Sequence, residues 1–261
     1  MTATTARPIF DLTGRVALVT GASSGLGERF ATILAESGAA VVLAARRTDR
    51  LDVACAEIKA KGGRAIAVAM DVADEVSTIA AYDAAEAAFG TVDTIIANAG
   101  MNSEGSLIDL PVEEFDRVMA VNLRGVFLTA REGAKRLIAN GSREHQRGRI
   151  VITASITAHK VDAGLAVYSG SKAGVVQMGK VMARDWIRSG INVNMICPGY
   201  IKTEINGEWF ETEAGARQIA KFHRRRLMDQ DGLDTMLLYL SSDASAGVTG
   251  ASFTLDDGQS L

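Results

Sequence analysis

Cysteine, histidine, proline and aromatic residues are all scarce in this chain: it has 2 Cys, 3 His and 3 Pro among 261 residues, and 5% of it is aromatic. Cys55 and Cys197 cannot form a disulfide framework, and each lies in an apolar or helical context where cysteine usually packs as a small hydrophobic residue. The isolated histidines show no metal-ligand spacing, so we predict no metal site.

The chain also lacks an excess of charge of either sign, since its formal net charge is -3 and acidic and basic residues are interspersed. We therefore expect neither nucleic acid nor an anionic membrane as a partner. No apolar run approaches the roughly 20 residues that span a bilayer. The segment MTATTARPIFDLTGR lacks the hydrophobic centre of a secretory signal, which favours a cytoplasmic location.

Glycine, by contrast, is abundant, and its 26 residues indicate many tight turns. Short apolar runs recur between them: RVALVT, AAVVLAAR, RAIAVAMDV, VDTIIANAG, RIVITAS, INVNMICPG and ASFTLDDG. Continuous runs are typical of parallel strands buried on both faces, and amphipathic segments such as LDVACAEIKAKG predict helices between them. The pattern predicts an α/β Rossmann fold, a doubly wound seven-stranded parallel sheet with helices on both faces.

Domain organisation follows from what separates these elements. The sequence contains no Pro/Ser-rich linker and no repeat of solenoid period. We therefore predict a single domain over residues 11–261 that follows a flexible tail at residues 1–10.

The segment TGASSGLG, residues 20–27, lies between the first predicted strand and the apolar helix FATILAESG. Glycines at such a turn let backbone N–H groups and the positive helix end approach a pyrophosphate. Glycines also serve ordinary tight turns, but the position between strand and helix favours a dinucleotide site. The predicted contacts in this turn are Gly21, Ser23, Ser24, Gly25, Leu26 and Gly27.

The second predicted strand ends in LAARRTDR, which bears on the choice of cofactor. Ala45 stands where an NAD-preferring site would place an acidic side chain on the ribose. Arg46 and Arg47 follow, and a guanidinium matches a 2′-phosphate in geometry and charge. We predict NADP(H) as the cofactor, with Arg46 the stronger candidate; alternatively, both arginines are solvated at the start of a helix.

Two further strand ends point to the same crevice, because ligands of open α/β sheets lie at the carboxyl ends of the strands. Asp71 and Val72 suit the edge and face of an adenine, although Asp71 is alternatively the N-cap of the next helix. A tight turn closes the fourth strand at Asn98, Ala99 and Gly100.

The fifth predicted strand runs into TASITAHKVDAGLAVYSGSK, which places Ser155, Tyr168 and Lys172 in one stretch. Tyr168 and Lys172, four residues apart on a helix, project from the same face. Such a pair is common by chance, but Ser155 at a strand end beside the nucleotide site favours a catalytic group.

Four motifs occur along the chain in this order: TGASSGLG, NAG, SITAHKVDAGLAVYSGSK and CPGYIKTE. Through them the chain resembles, from about residue 11 onward, the short-chain dehydrogenase/reductases, among them 3-oxoacyl reductases and related ketone reductases. The resemblance implies that Tyr168 is the general acid and that Lys172 favours its phenolate and holds the nicotinamide ribose. It implies that Ser155 hydrogen-bonds the substrate oxygen. Asn122, in MAVNLRG, would support a water that connects Lys172 to solvent.

CPGYIKTE resembles the segment that closes over the nicotinamide, with candidate contacts at Pro198, Gly199, Ile201 and Thr203. The resemblance further implies a substrate lid around residues 203–226. Within it, Ile205, Trp209 and Phe210 either line an apolar pocket or pack as ordinary helix residues. The arginines at 224–226 either bind a coenzyme A or phosphopantetheine phosphate or form a solvated helix end.

The leading hypothesis for the function is reversible NADPH-dependent reduction of a ketone or 3-oxoacyl carbonyl to a secondary alcohol. The alternatives are an NAD-dependent alcohol dehydrogenase and a nucleotide-binding regulatory protein without turnover. The resemblance implies a homotetramer or homodimer built through helices around residues 112–140 and 169–189 and the strand ASFTLDDG.

Overall fold

Seven parallel strands form one sheet in the computed structural model, which describes residues 10–204 and 207–261. They are β1 (Val16–Thr20), β2 (Ala40–Ala45), β3 (Arg64–Ala69), β4 (Thr94–Ala97), β5 (Gly148–Thr153), β6 (Ile191–Pro198) and β7 (Ser252–Leu255). The order is β3-β2-β1-β4-β5-β6-β7. The predicted seven-stranded, doubly wound α/β fold is confirmed. Of the predicted tail, residues 1–9 lie outside the described part of the chain.

Helices connect the strands: α1 (Gly25–Glu36), α2 (Thr48–Ala60), α3 (Glu75–Phe89), α4 (Val112–Met119), α5 (Gly125–Ala139), α6 (Ser142–His145), α7 (Ala166–Trp186), α8 (Gly207–Phe210), α9 (Glu213–Lys221) and α10 (Asp234–Ser241). One face of the sheet packs against α3, α5 and α7, and the other against α1, α2 and α10. The two cysteines are buried, Cys197 in the first core and Cys55 in the second.

The strand β1 shows why the apolar runs are continuous. Val16 and Leu18 point into the core under α3, α5 and α7, whereas Ala17 and Val19 point into the core under α1, α2 and α10. Because side chains alternate across a strand and both faces are covered, the positions from Val16 to Val19 are all apolar.

The strand order reverses at β1, which lies between β2 and β4. Connections from β1 and β4 therefore run to opposite halves of the sheet, and a crevice opens at their carboxyl ends. Helix α1 starts five residues after β1 ends, so its positive end faces that crevice.

Candidate active site

A cleft of about 440 Å³ occupies the crevice at the carboxyl ends of the strands. Every residue predicted to contact the cofactor lines it: Gly21, Ser23, Ser24, Gly25, Leu26, Gly27, Arg46, Arg47, Asp71, Val72, Asn98, Ala99, Gly100, Tyr168, Lys172, Pro198, Gly199, Ile201 and Thr203. The structure therefore brings these dispersed segments to one place.

The glycine-rich turn between β1 and α1 packs tightly on itself. A Cβ at Gly27 would lie 2.2 Å from the carbonyl oxygen of Gly21, and Gly25 has a φ of +56°. Ser24 is the N-cap of α1, but its side chain does not cap the helix. Backbone N–H groups of the first turn thus remain available to an anion.

The turn at the end of β4 is fastened to the end of β1. The hydroxyl of Thr20 accepts hydrogen bonds from the N–H groups of Asn98 and Ala99, at 3.0 and 3.1 Å. The amide of Asn98 donates to the carbonyl of Thr20 at 3.1 Å. This leaves so little room that a Cβ at Gly21 would lie 2.8 Å from the Cα of Ala99.

Asp71 lies in the loop between β3 and α3, where its carboxylate accepts a hydrogen bond from the N–H of Ala73 at 3.0 Å. The N-cap of α3 is Asp74, which accepts from the N–H groups of Val76 and Ser77. The alternative in which Asp71 caps this helix is therefore wrong. Both Asp71 and its neighbour Val72 line the cleft.

The two arginines after β2 differ in their surroundings. Arg47 donates to the hydroxyl of Ser23 at 3.0 and 3.2 Å and to that of Ser24 at 2.8 Å. Arg46 is exposed in the same cleft and makes no hydrogen bond or ion pair with any described residue. We expected Arg46 to be the stronger candidate, yet Arg47 is the guanidinium that is held against the glycine-rich turn.

Glu204 is a residue of the cleft that the sequence reasoning missed. Its carboxylate accepts hydrogen bonds from Arg47, at 3.2 Å, and from Arg50. The bond from Arg50 is the main cause that lowers the pKa of Glu204, so the carboxylate is charged at neutral pH. It thus pairs with one of the two arginines that the sequence offers for a 2′-phosphate.

Ser155 follows β5 and caps a short 3₁₀ turn over Ile156–Ala158. Its hydroxyl oxygen accepts hydrogen bonds from the N–H and the hydroxyl of Thr157, at 3.2 and 3.0 Å. With both acceptor positions used, its own O–H must be the donor in its hydrogen bond with Tyr168, and a donor at this position is what a developing alkoxide requires. Thr157 is a second residue that sequence reasoning missed; the signal was a threonine two residues after a serine at a helix start.

Tyr168 and Lys172 lie one turn apart on α7 and both line the cleft. The Nζ atom of Lys172 donates to the carbonyl of Thr153 at 2.9 Å and lies 5.6 Å from the ring centre of Tyr168. Burial lowers the pKa of Lys172 to about 8. Burial also raises the pKa of Tyr168, and the hydrogen bond with Ser155 opposes that rise. Burial therefore outweighs this hydrogen bond and favours the neutral phenol, which is the proton-donating form. The expected stabilisation of the phenolate by Lys172 stays a prediction.

Asn122 lies in a π-helical turn, Ala120–Arg124, between α4 and α5, and is completely buried. Its amide accepts from the N–H of Met101 and donates to the carbonyl of Met101, both at 2.9 Å, and to the hydroxyl of Ser171 at 3.0 Å. The side chain thus fixes the segment that follows Gly100 beside α7. Its predicted support of a water near Lys172 stays a prediction.

The segment after β6 is held by the C-terminal part of the chain. The side chain of Gln259 accepts from the N–H of Tyr200 at 2.6 Å and donates to its carbonyl at 3.1 Å. A Cβ at Gly199 would lie 2.5 Å from that same amide. Ile201 is buried and pairs with Met228. Gln259 was not foreseen from the sequence.

A second cavity, of about 730 Å³, shares Ser155, Tyr168 and Gly199 with the first cleft. Trp209 and Phe210 line it, so the pocket-lining alternative holds for both, whereas Ile205 lies outside the described residues. Of the arginines at 224–226, the first and third pair with Asp257 at 3.1 and 2.9 Å.

Two negative observations concern the described residues alone, 10–204 and 207–261. There, no cluster of three or more His, Cys, Asp or Glu side chains is placed to hold a metal ion. Within the same ranges, no helix has both the length and the apolar character needed to cross a membrane.

The fold and cleft together define the class of nicotinamide-dependent oxidoreductases. Residues 15–214 match the family model described as short chain dehydrogenase. A cis-4-hydroxycyclohexanecarboxylate dehydrogenase of Sinomonas cyclohexanicum is 37% identical over 245 residues, which are 94% of this chain and 96% of that protein. The chain belongs to the short-chain dehydrogenase family.

Solved structures agree with this assignment. A short-chain type dehydrogenase/reductase from Mycobacterium marinum superposes with a TM-score of 0.91 at 36% identity, covering 97% of this chain and 98% of the other. A short chain dehydrogenase from Burkholderia cenocepacia J2315, in complex with NADP, gives a TM-score of 0.88 at 33% identity, with coverages of 96% and 99%.

Proposed function

We propose that this chain reduces a ketone or 3-oxoacyl carbonyl to a secondary alcohol with NADPH, reversibly, and that Tyr168 donates the proton. The proposal rests on the position of Ser155 and Tyr168. Both lie where the cleft that contains the glycine-rich turn meets the second cavity. A group that lies between a cofactor site and a second cavity is placed to touch both reactants.

The residues of the cleft fit a dinucleotide. The close approach at Gly27 and the uncapped first turn of α1 suit a pyrophosphate, and Arg47 suits a 2′-phosphate. When bound, NADPH supplies the hydride. The phenol of Tyr168 supplies the proton, and the O–H of Ser155 is available to stabilise the oxygen that receives it. The ammonium of Lys172 lies 5.6 Å from the ring centre of Tyr168.

A direct assay tests the reaction. We expect the purified protein to consume NADPH with at least one member of a panel of acetoacetyl thioesters, cyclic ketones and aryl ketones. Complete inactivity across the panel, with NADPH bound, would overturn the proposal. Turnover in the direction of alcohol oxidation with NAD alone would favour the alcohol dehydrogenase alternative.

The preference for NADPH should depend on Arg47. We expect Arg47→Ala to weaken NADPH binding about tenfold to hundredfold, because a charge-assisted hydrogen bond to the 2′-phosphate is lost, and to leave NADH binding nearly unchanged. Fluorescence titration with both cofactors measures this. Arg46→Ala is the matched control. A larger loss of NADPH affinity in the Arg46 variant would restore our first expectation, and equal losses for both cofactors would show that Arg47 only supports the turn.

Reduction should slow as the pH rises through about 8. Lys172 has its pKa lowered to about 8 by burial, so it carries its charge below that pH and loses it above. Burial raises the pKa of Tyr168 above its ordinary value of 10, so the two groups titrate in different ranges. We expect kcat/KM for reduction to fall above pH 8, and we expect Lys172→Arg to remove that decline. If kcat/KM still falls above pH 8 in the Lys172→Arg variant, a group other than Lys172 causes the fall.

We also propose that the protein is a homodimer or homotetramer. Large apolar side chains are exposed on the helices that the resemblance implicated, among them Phe115 on α4, Phe127 on α5 and Val181 on α7. Exposed apolar patches of this kind commonly mark interfaces. A mass from light scattering tests it. The cytoplasmic location stays a prediction.

A further inference from the structure

We propose that the second cavity recognises a ring, so that the substrate is a cyclic or aryl ketone whose carbonyl belongs to, or is attached to, a flat ring system. The inference rests on the proposed function and chooses among the substrate classes that it leaves open.

The size of the cavity indicates a body larger than a simple open-chain ketone. At about 730 Å³ it lies in the range of 300–1,000 Å³ that holds drug-sized ligands. Ser155 and Tyr168 lie where it meets the nucleotide cleft, so the reacting carbonyl belongs at that junction. The rest of the volume is available to the remainder of the substrate.

Aromatic rings form a continuous wall of this cavity. The rings of Tyr200 and Phe222 are stacked, with centres 5.5 Å apart and an interplanar angle of 23°. The ring of Phe210 meets that of Tyr200 edge-on, at 5.7 Å and 83°. Trp209 lines the same cavity. Faces and edges of aromatic rings attract another flat ring through their quadrupoles, beyond the area that is buried.

The wall is also fixed in place. The phenol of Tyr200 donates to the carboxylate of Asp162 at 2.7 Å, and both backbone polar groups of Tyr200 bond to Gln259. The indole N–H of Trp209 donates to the side chain of Gln218 at 2.9 Å. A preorganised wall costs little entropy when a rigid ring binds, whereas a flexible acyl chain would have to be ordered against it.

The charges around the cavity do not favour the phosphates of an acyl carrier. Lys160 lies within 6 Å of the rings of Tyr200 and Phe222 but forms an ion pair with Asp162 at 3.6 Å. Arg217 pairs with Glu213, and the arginines at 224 and 226 pair with Asp257. Lys221 makes no ion pair with a described residue, but a single exposed ammonium is a weak phosphate site.

A comparison of three substrates with the wild-type protein and NADPH tests the inference. The probes are 1-tetralone as a cyclic aryl ketone, acetoacetyl coenzyme A as a thioester and 2-pentanone as an open-chain ketone. We expect kcat/KM to be at least tenfold higher for 1-tetralone than for either of the others. Preferential reduction of the thioester or of 2-pentanone would overturn the inference and leave the proposed function standing. Absence of turnover with all three, despite NADPH binding, would overturn both.

Variants of the wall show whether the rings themselves select the substrate. Phe222→Leu should lower kcat/KM for 1-tetralone roughly fivefold, from the loss of ring–ring contact, and leave the Kd for NADPH unchanged. Because Phe222 is buried, Trp209→Leu, at a side chain 39% exposed, provides a second variant with less risk to folding. Phe89→Leu, on α3 and outside both the cavity and the proposed subunit interface, is the control. Equal effects of the wall variants on all three substrates would contradict recognition of a ring.

Discussion

Replacing Tyr168 with phenylalanine should lower kcat for ketone reduction about a thousandfold, within the range that a general acid contributes. The change removes the phenol oxygen and keeps the ring, which lines both the cleft and the second cavity. Ser155 remains able to bond the substrate oxygen, but its alcohol is a far poorer acid than the phenol. The Kd for NADPH should stay within about twofold, because the glycine-rich turn and Arg47 are untouched.

Steady-state kinetics and a cofactor titration on the same preparations test this expectation. Tyr239→Phe is the matched control, since Tyr239 lies on α10 at the opposite face of the sheet and should retain full activity. Unchanged turnover in Tyr168→Phe would assign the proton to another group. If the wild-type protein binds NADPH but neither it nor the variant turns over, the chain is instead a nucleotide-binding protein without catalysis.

Gly27→Ala should abolish measurable NADPH binding and destabilise the fold by about 1–3 kcal/mol. The new Cβ would lie 2.2 Å from the carbonyl oxygen of Gly21 and 2.7 Å from the side-chain amide nitrogen of Asn98. Neither can move away freely, because Gly21 already packs against Ala99 and Asn98 is bonded to Thr20. The turn must therefore open, which displaces the N–H groups that face the pyrophosphate.

Thermal unfolding and NADPH titration of this variant provide the measurements. Gly247→Ala makes the same chemical change at a site where an added Cβ meets nothing within 4 Å, so it should behave as the wild type. A Gly27→Ala protein that binds NADPH normally would show that the turn tolerates a side chain. The close packing of the glycine-rich turn would then not be required for cofactor binding.

Much of the fold could be read from local patterns. The runs of β1, β2, β4, β5 and β6 are buried throughout because two layers of helices cover the sheet, so burial on both faces is recorded in each of these segments by itself. The edge strands β3 and β7 are only partly buried. The spacing of Tyr168 and Lys172 is equally local, since four residues on a helix bring two side chains to one face. The alternative in which Asp71 caps α3 was wrong, because Asp74, three residues later, caps that helix.

The sequence by itself thus determined the sheet, the glycine-rich turn and the order of the polar residues along the strand ends, because periodicity and turn chemistry are properties of neighbours. Only the tertiary structure decided which arginine is held at the cleft, since Arg47 bonds to Glu204, a residue 157 positions away in the sequence. It likewise decided the aromatic wall, where Tyr200 meets Phe222 and is fastened by Gln259. Such contacts depend on how distant loops pack on the sheet, and no local pattern records that packing.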